Sequence, residues 1–442
     1  MALFLVDLID LYFLNLLGEQ EMAAAVGFSA QILFYVTGIS IGLLIAVGIV
    51  ASTRIGAEDS EGARHLGANA LVLANLLIVA VTVGLLIWLE PILRGLGAQG
   101  RTLELSLIYL KILLPSGFLL VTGMVNSALL RAVGDARRSM YITVFAALVN
   151  LVLDPILIFG FDLGIAGAAL SSVLARLAMA GYGAWCVIYI HQMMTLPSLK
   201  GVLADIRPLA TIAGPAMLTN LATPIGSTFV MAAIARYGDA AVAAFATIGR
   251  IIPVGFSFLF ALSGAISPII GQNFGAKSFG RVRETYRDAI IFAVIVVVLV
   301  SSLLFAGQNL LVGMFNLSGD GEELLRLFLS GLTFFFVADG VLFSTNAAFN
   351  SLGYPLYSTF FNYAKYFCGV VPVVWFCSSQ WGASGVIIGQ AVGCLPVTLV
   401  AVMVCNRVIA RESEGGGPQP KMRGRGFARL PLWPSASAKS QL

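Results

Sequence analysis

The chain has 442 residues, of which 59% are hydrophobic and only 11% charged. That is too apolar for a water-facing surface wrapped around ordinary cores, so the solvent for most of this chain is lipid. The net charge of +4 is accounted for by basic loops and a basic tail, without nucleic acid as a partner.

Twelve apolar runs are legible along the chain, each about 18 to 27 residues and so long enough for a helix to cross a ~30 Å hydrocarbon layer. They start near Met1, Ser29, Leu66, Leu103, Ser139 and Ile165 in the first half, and near Leu209, Ala241, Ala289, Leu324, Pro355 and Ser384 in the second. The first run ends at Leu17, is short for a crossing, and lacks the basic start and cleavage site of a signal peptide. Even-numbered loops and the tail hold most of the Lys and Arg, whereas odd loops hold only Arg94, Arg101, Arg236 and Arg326. The positive-inside rule then puts both termini in the cytoplasm of a cell-membrane protein.

The halves read as a repeat. The stretch at Gly18 is answered at Gly238, Arg54–Ala57 by Asn273–Ala276, Asn126–Gly134 by Asn346–Gly353, and Gly164–Gly167 by Gly382–Gly385, at an offset of about 220. An even number of spans per repeat predicts an all-α polytopic membrane protein of twelve helices, in two six-helix lobes about a pseudo-two-fold axis along the membrane normal. The expected organisation is a first lobe over 1–192, a cytoplasmic linker over 193–208, a second lobe over 209–407 and a disordered basic tail over 408–442. The tail is suited to contact with anionic lipid.

Of the twenty-two Asp and Glu residues, only Asp7, Asp10, Asp154 and Asp339 fall within apolar runs. An ionised carboxylate at the bilayer centre costs ~2.5 to 3.5 kcal/mol even on mild scales, so such residues face a cavity, pair with something or take up a proton. Asp7 and Asp10 share a face of span 1, and Asn150 and Asp154 share a face of span 5. With a hydroxyl from Ser172, the oxygens of Asn150 and Asp154 suit a proton or a hard cation such as sodium. Asp10, Asn150, Asp154 and Ser172 are therefore the expected cation-coupling residues, with Asp7 and Asp339 as additional coupling or substrate groups. Asn15 and Asn126 are read as interhelical hydrogen bonders, and Lys111, Arg176, Arg250 and Lys365 as structural or gating cations. Pro115, Pro155, Pro224, Pro253, Pro268 and Pro372 predict kinks. Gly38 with Gly42, and Gly164 with Gly167, predict close helix packing.

Other chemistry finds no support. The five cysteines lack metal spacing, and His65 and His191 sit in separate loops. There is no HExxH or Walker A motif, which argues against metal-dependent and ATP-driven readings, and no cofactor and no enzyme are expected.

Three motifs together resemble the multidrug and toxic compound extrusion (MATE) family, along the chain to about Arg407. They are Asp10 with Gly18 eight residues on, the run from Leu129 through Arg131 to Asp135, and Asn150–Pro155 followed by Gly164–Ala169. The resemblance implies export of amphipathic, often cationic compounds, with Asp10, Asn150, Asp154 and Ser172 at proton- or sodium-responsive positions. Ser172 replaces the family's threonine, and Asp7 stands where many relatives have asparagine. Asp339 resembles the span 10 acid of a sodium-coupled branch, but its span 7 glutamate partner is missing. The expected partners are small organic molecules and lipids, and the chain is expected to act as a monomer. Alternatives are a flippase for lipid-linked precursors, which would want a more cationic first lobe, and a narrow-specificity metabolite exporter. A major-facilitator transporter shares the repeat symmetry, but its basic motif after span 2 is absent at Arg54–Ser60.

Overall fold

Described residues of this computed structural model are 20–315 and 319–414; Asp7, Asp10, Asn15 and the expected first span lie outside them. Helices account for nearly all of these residues, and ten are long and apolar enough to cross a membrane. We number the main helices α1 (Gln20–Gly56), α2 (Ser60–Ile87), α3 (Gly100–Leu113), α4 (Gly117–Ala132), α5 (Ala136–Pro155), α6 (Gly164–Trp185) and α7 (Leu199–Ile234). The second half continues with α8 (Asp239–Gly255), α9 (Ser257–Gly275), α10 (Phe279–Ala306), α11 (Val337–Ser351), α12 (Pro355–Ala364), α13 (Val371–Gly393) and α14 (Leu395–Ser413).

Several expected boundaries move. The span expected from Ala241 is broken at Phe256, just after Pro253, into α8 and α9. The span expected from Leu324 begins instead as a separate helix, Asp320–Ser330, and its apolar crossing starts at Leu332. Residues Pro355–Ser413 run as one helical stretch whose interruption is at Trp381 and Gly382, the latter with a φ of 59° that favours glycine. The linker is shorter than expected, because α7 already starts at Leu199, and residues 408–413 are helix rather than tail.

The solvent expected from composition explains which faces are apolar outward. On α10, Ile291, Ile295, Leu299 and Leu303 repeat every fourth residue and are exposed, while Ala289, Ala293 and Val297 are buried. One buried cluster draws only on residues between Ala25 and Ala213, and three others only on residues between Val230 and Ile409. The halves meet where α1 packs on α7 and α9: Gly56 lies against the Gln272 carbonyl and Gly275 against that of Thr53, where a Cβ would collide. Gln272 Nε2 also donates to the Ala132 carbonyl at 2.6 Å.

The repeat is visible in the turns. After α4, Gly134 has φ 87° and the Asp135 amide donates to Leu130; after α11, Gly353 has φ 85° and the Tyr354 amide donates to Phe349, both at 2.8 Å. Ser139 Oγ donates to the Ser127 carbonyl as Ser358 Oγ donates to that of Asn346, at 3.0 and 3.1 Å. These bonds set the register: Asn346 corresponds to Ser127, one residue along from the expected match with Asn126. Asn126 itself is fully buried, and neither of its amide atoms is hydrogen-bonded among the described residues. The interhelical hydrogen bonds expected of it are thus not made among the described residues.

Two ionic anchors tie down the loop ends of the first half. Arg54 Nη2 pairs with Asp205 Oδ1 at 2.6 Å, and Asn69 Nδ2 donates to Asp205 Oδ2 at 2.8 Å, fastening the start of α7 to α1 and α2. Asp135 caps α5 through the Arg138 amide at 3.0 Å and the Arg138 guanidinium at 2.6 Å, while His191 Nε2 lies 2.8 Å from Oδ2. Desolvation pushes the Asp135 carboxyl up, but the hydrogen bonds from Arg138 and His191 outweigh it and lower its pKa to about 2. A carboxyl held below its ordinary 3.8 contributes stability that is present above that value and lost as pH falls towards 2. Asp135→Asn should therefore lower the thermal unfolding midpoint of the detergent-solubilised protein at neutral pH. The gap to wild type should close between about pH 4 and pH 2; a pH-independent gap would contradict the ionic cap.

Candidate functional site

Helix α5 buries one stripe, Ser139, Ile142, Ala146, Asn150 and Asp154, at spacings of three and four. The opposite face, including Met140, Val144, Leu148 and Val152, is exposed apolar surface. The stripe carries Asn150 and Asp154 inward to complete burial, both at 0% exposure. Pro155 ends the regular helix directly after the carboxylate, and a wide π turn follows over Ile156–Gly160. Across from it, Gly167 on α6 packs against the Leu157 carbonyl, which a Cβ would approach to 2.7 Å. That close approach places Ser171, one turn further along α6 and also fully buried, against Asp154.

The geometry is compact. Ser171 Oγ donates to Asp154 Oδ1, and Asn150 Nδ2 lies 3.4 Å from the same oxygen and 3.3 Å from Ser171 Oγ. Asp154 Oδ2 and Asn150 Oδ1 are buried without a hydrogen-bond partner among the described residues. Two bare acceptors, one of them on a carboxylate, are costly in a low-dielectric interior unless a proton or cation joins them.

Of the expected residues, the structure brings Asn150 and Asp154 together. Asp7 and Asp10 lie outside the described residues. Ser172 is half-buried and turned by about 100° around α6 from Ser171, whose hydroxyl is the one on Asp154. Ser171 could have been weighed from sequence, since it is equally a serine in the same turn; only the rotation of α6 separates the two.

Asp339 has a different setting. Its Oδ1 pairs with Lys365 Nζ at 2.5 Å, its Oδ2 lies 3.9 Å from Cys394 Sγ, and both charged side chains are largely buried. Lys365 Nζ also sits 4.6 Å from the Tyr366 ring centroid. The span 10 carboxylate, whose glutamate partner is missing from span 7, is thus neutralised by a lysine from the start of the π segment Lys365–Val370. Arg176, another cation read as structural, donates to the Leu113 carbonyl and to Ser116 Oγ, beside the turn containing Pro115.

The repeat also shows what the second half lacks. Gly167 against Leu157 corresponds to Gly385 against Cys377, which puts Val374 at the place of Asp154 and Gly389 at that of Ser171. A Cβ on Gly389 would lie 2.6 Å from Val374 Cα. The polar cluster of one half is therefore a dry, close-packed contact in the other. Among the described residues, no three His, Cys, Asp or Glu side chains group to hold a metal ion.

Comparison with known proteins agrees with this architecture. The chain is 28% identical to a FAD transporter of Shewanella oneidensis, over 92% of this chain and 90% of that protein. It is 23% identical to the multidrug export protein MepA of Staphylococcus aureus, over 92% and 91%. Its fold superimposes on the crystal structure of the Vibrio cholerae MATE transporter VcmN in the bent form with a TM-score of 0.87, at 27% identity, covering 93% of this chain and 94% of that one. The MatE family model matches residues 1–156 and 215–375. With that match over most of its length, the chain belongs to the MATE family of membrane transporters, which are not enzymes.

Proposed function

We propose that this chain is a secondary exporter of amphipathic, cationic organic compounds, driven by antiport with protons. Two lobes of six helices would alternate access about an axis along the membrane normal, in the cell membrane, with both termini cytoplasmic. The carrying observation is the fully buried Asp154–Asn150–Ser171 cluster, in which Asp154 Oδ2 and Asn150 Oδ1 have no hydrogen-bond partner among the described residues. A proton on Asp154 Oδ2 removes the buried charge and turns that oxygen into a donor. Proton and substrate exchange because each favours a different access state and each weakens the other's binding. Asp10 would join this cluster, as the family resemblance implies.

Protons rather than sodium are favoured by the second half, where the charge of Asp339 is already balanced by Lys365. A tethered ammonium at 2.5 Å occupies the position a free cation would take. A narrower metabolite exporter is the second reading, supported by the relative named as a FAD transporter.

In everted membrane vesicles, a cationic dye should dissipate a respiration-generated pH gradient equally with and without sodium. Asp154→Asn should abolish the response, and Ser171→Ala should reduce it several-fold. Retention of the response in Asp154→Asn, or a strict sodium requirement, would refute proton coupling through this cluster.

Lys365→Met leaves a buried carboxylate uncompensated, a change worth about 3 to 5 kcal/mol. It should lower the thermal midpoint of the purified protein more than the double variant Asp339→Asn, Lys365→Met does. Equal losses in the single and double variants would show that the ion pair does not neutralise Asp339.

A further inference from the structure

Between α1, α7, α9, α11 and α12 lies a cavity of about 100 Å³, roughly the space of three water molecules. Its polar lining is four asparagines, Asn220, Asn346, Asn350 and Asn362, with the hydroxyls of Thr219, Thr223 and Ser263 and no charged residue. Phe343 is among its apolar walls and is held in place by Phe260, at 5.0 Å between ring centroids. Four asparagines around one small space are too many for helix packing alone to explain.

Local bonding uses only part of each amide. Asn220 Nδ2 donates to the Ala216 carbonyl and Asn362 Nδ2 to that of Ser358, at 2.8 and 2.7 Å. Asn350 Oδ1 accepts from Ser358 Oγ at 2.9 Å. These bonds orient the side chains and leave the Asn220 and Asn362 carbonyls and the Asn350 NH₂ for something else. Asn346 is 7% exposed, and its Oδ1 is buried with no hydrogen-bond partner among the described residues. A buried amide oxygen without a donor costs on the order of 1 to 3 kcal/mol, which a ligand's N–H would recover.

The lining decides the ligand class. A cation would want a carboxylate and an anion would want a lysine or arginine; the cavity supplies carbonyls, amide NH₂ groups and hydroxyls instead. Small pockets with a few convergent polar groups on an apolar wall fix orientation and specificity. On α11, Phe343, Asn346 and Asn350 recur at three and four residues, which puts them on one face. Asp339 lies one turn before them, and on the neighbouring segment Lys365 is one turn beyond Asn362. The nearest charges along these two segments are thus those of the Asp339–Lys365 pair, which has no net charge to offer a ligand.

We propose that this cavity is a recognition site for an uncharged, planar hydrogen-bonding group of the transported compound, a carboxamide or cyclic imide. The site rests on the chain being an exporter and favours, among its substrates, compounds that carry such a group. At this volume the cavity takes that group alone, and the remainder of the molecule extends out of it.

Riboflavin is a suitable probe, because its flat ring bears a cyclic imide and its fluorescence is quenched on binding. Titration of purified full-length protein should show saturable binding that weakens at least tenfold in Asn346→Leu. Wild type should also bind 3-methylriboflavin, whose imide N–H is blocked, at least tenfold more weakly. Ethidium, which carries neither a carboxamide nor an imide, should bind the variant within twofold of wild type. Equal affinity for riboflavin and 3-methylriboflavin in wild type would overturn the proposal; this comparison needs no variant to fold. So would undiminished riboflavin binding by Asn346→Leu, or an equal loss of riboflavin and ethidium. Proton-driven ethidium export without riboflavin binding would remove this site and keep the antiport reading. Imide-dependent binding with no gradient-driven transport of either compound would keep the site and remove antiport.

Discussion

Water is missing where most of this chain resides, and every polar atom there must find its partner within the protein or in what the protein carries. The helices meet that demand for the backbone. Side chains meet it unevenly, and where they fail is informative. Asp154 Oδ2 and Asn150 Oδ1 form one place in the first half where buried acceptors lack donors, and Asn346 Oδ1 is another in the second. A proton, an ion or a substrate that met such groups would recover the cost of burying them.

The duplicated halves have diverged in how they handle charge. In the first, proline and a wide turn break α5 beside a carboxylate, and α6 approaches closely enough for a serine to reach it. In the second, the matching contact is Val374 on Gly389. The acid of the second half appears elsewhere, on α11, and carries its own counter-ion in Lys365. Nearby, amides take the place of charges. The proposed roles follow this division, with a charge gained and lost in one repeat and recognition without charge in the other.

Hydropathy made the helical, membrane-embedded architecture legible, because length and apolar composition are nearly sufficient for a span. The inward face of α5 was equally readable, since Asn150 and Asp154 share a helical stripe with Ala146 and Ile142. Four features were not. The choice between Ser171 and Ser172 depends on the rotation of α6, which Gly167 sets by packing on a backbone carbonyl. The Asp339–Lys365 pair joins different helices, and no local spacing announces it. The match of Asn346 with Ser127 rather than Asn126 needed the serine-to-carbonyl bonds of the two turns. The clustering of four asparagines likewise depends on tertiary packing, since they come from three helices.

The proton exchange proposed for the buried Asp154 carboxyl on substrate binding is directly observable by infrared difference spectroscopy. Spectra of the purified protein, with cationic substrate minus without, should show loss of a protonated carboxyl band in wild type. In Asp154→Asn that band should be absent. An unchanged band in Asp154→Asn, or no carboxyl signal in a wild type that binds the substrate, would contradict Asp154 as the proton carrier.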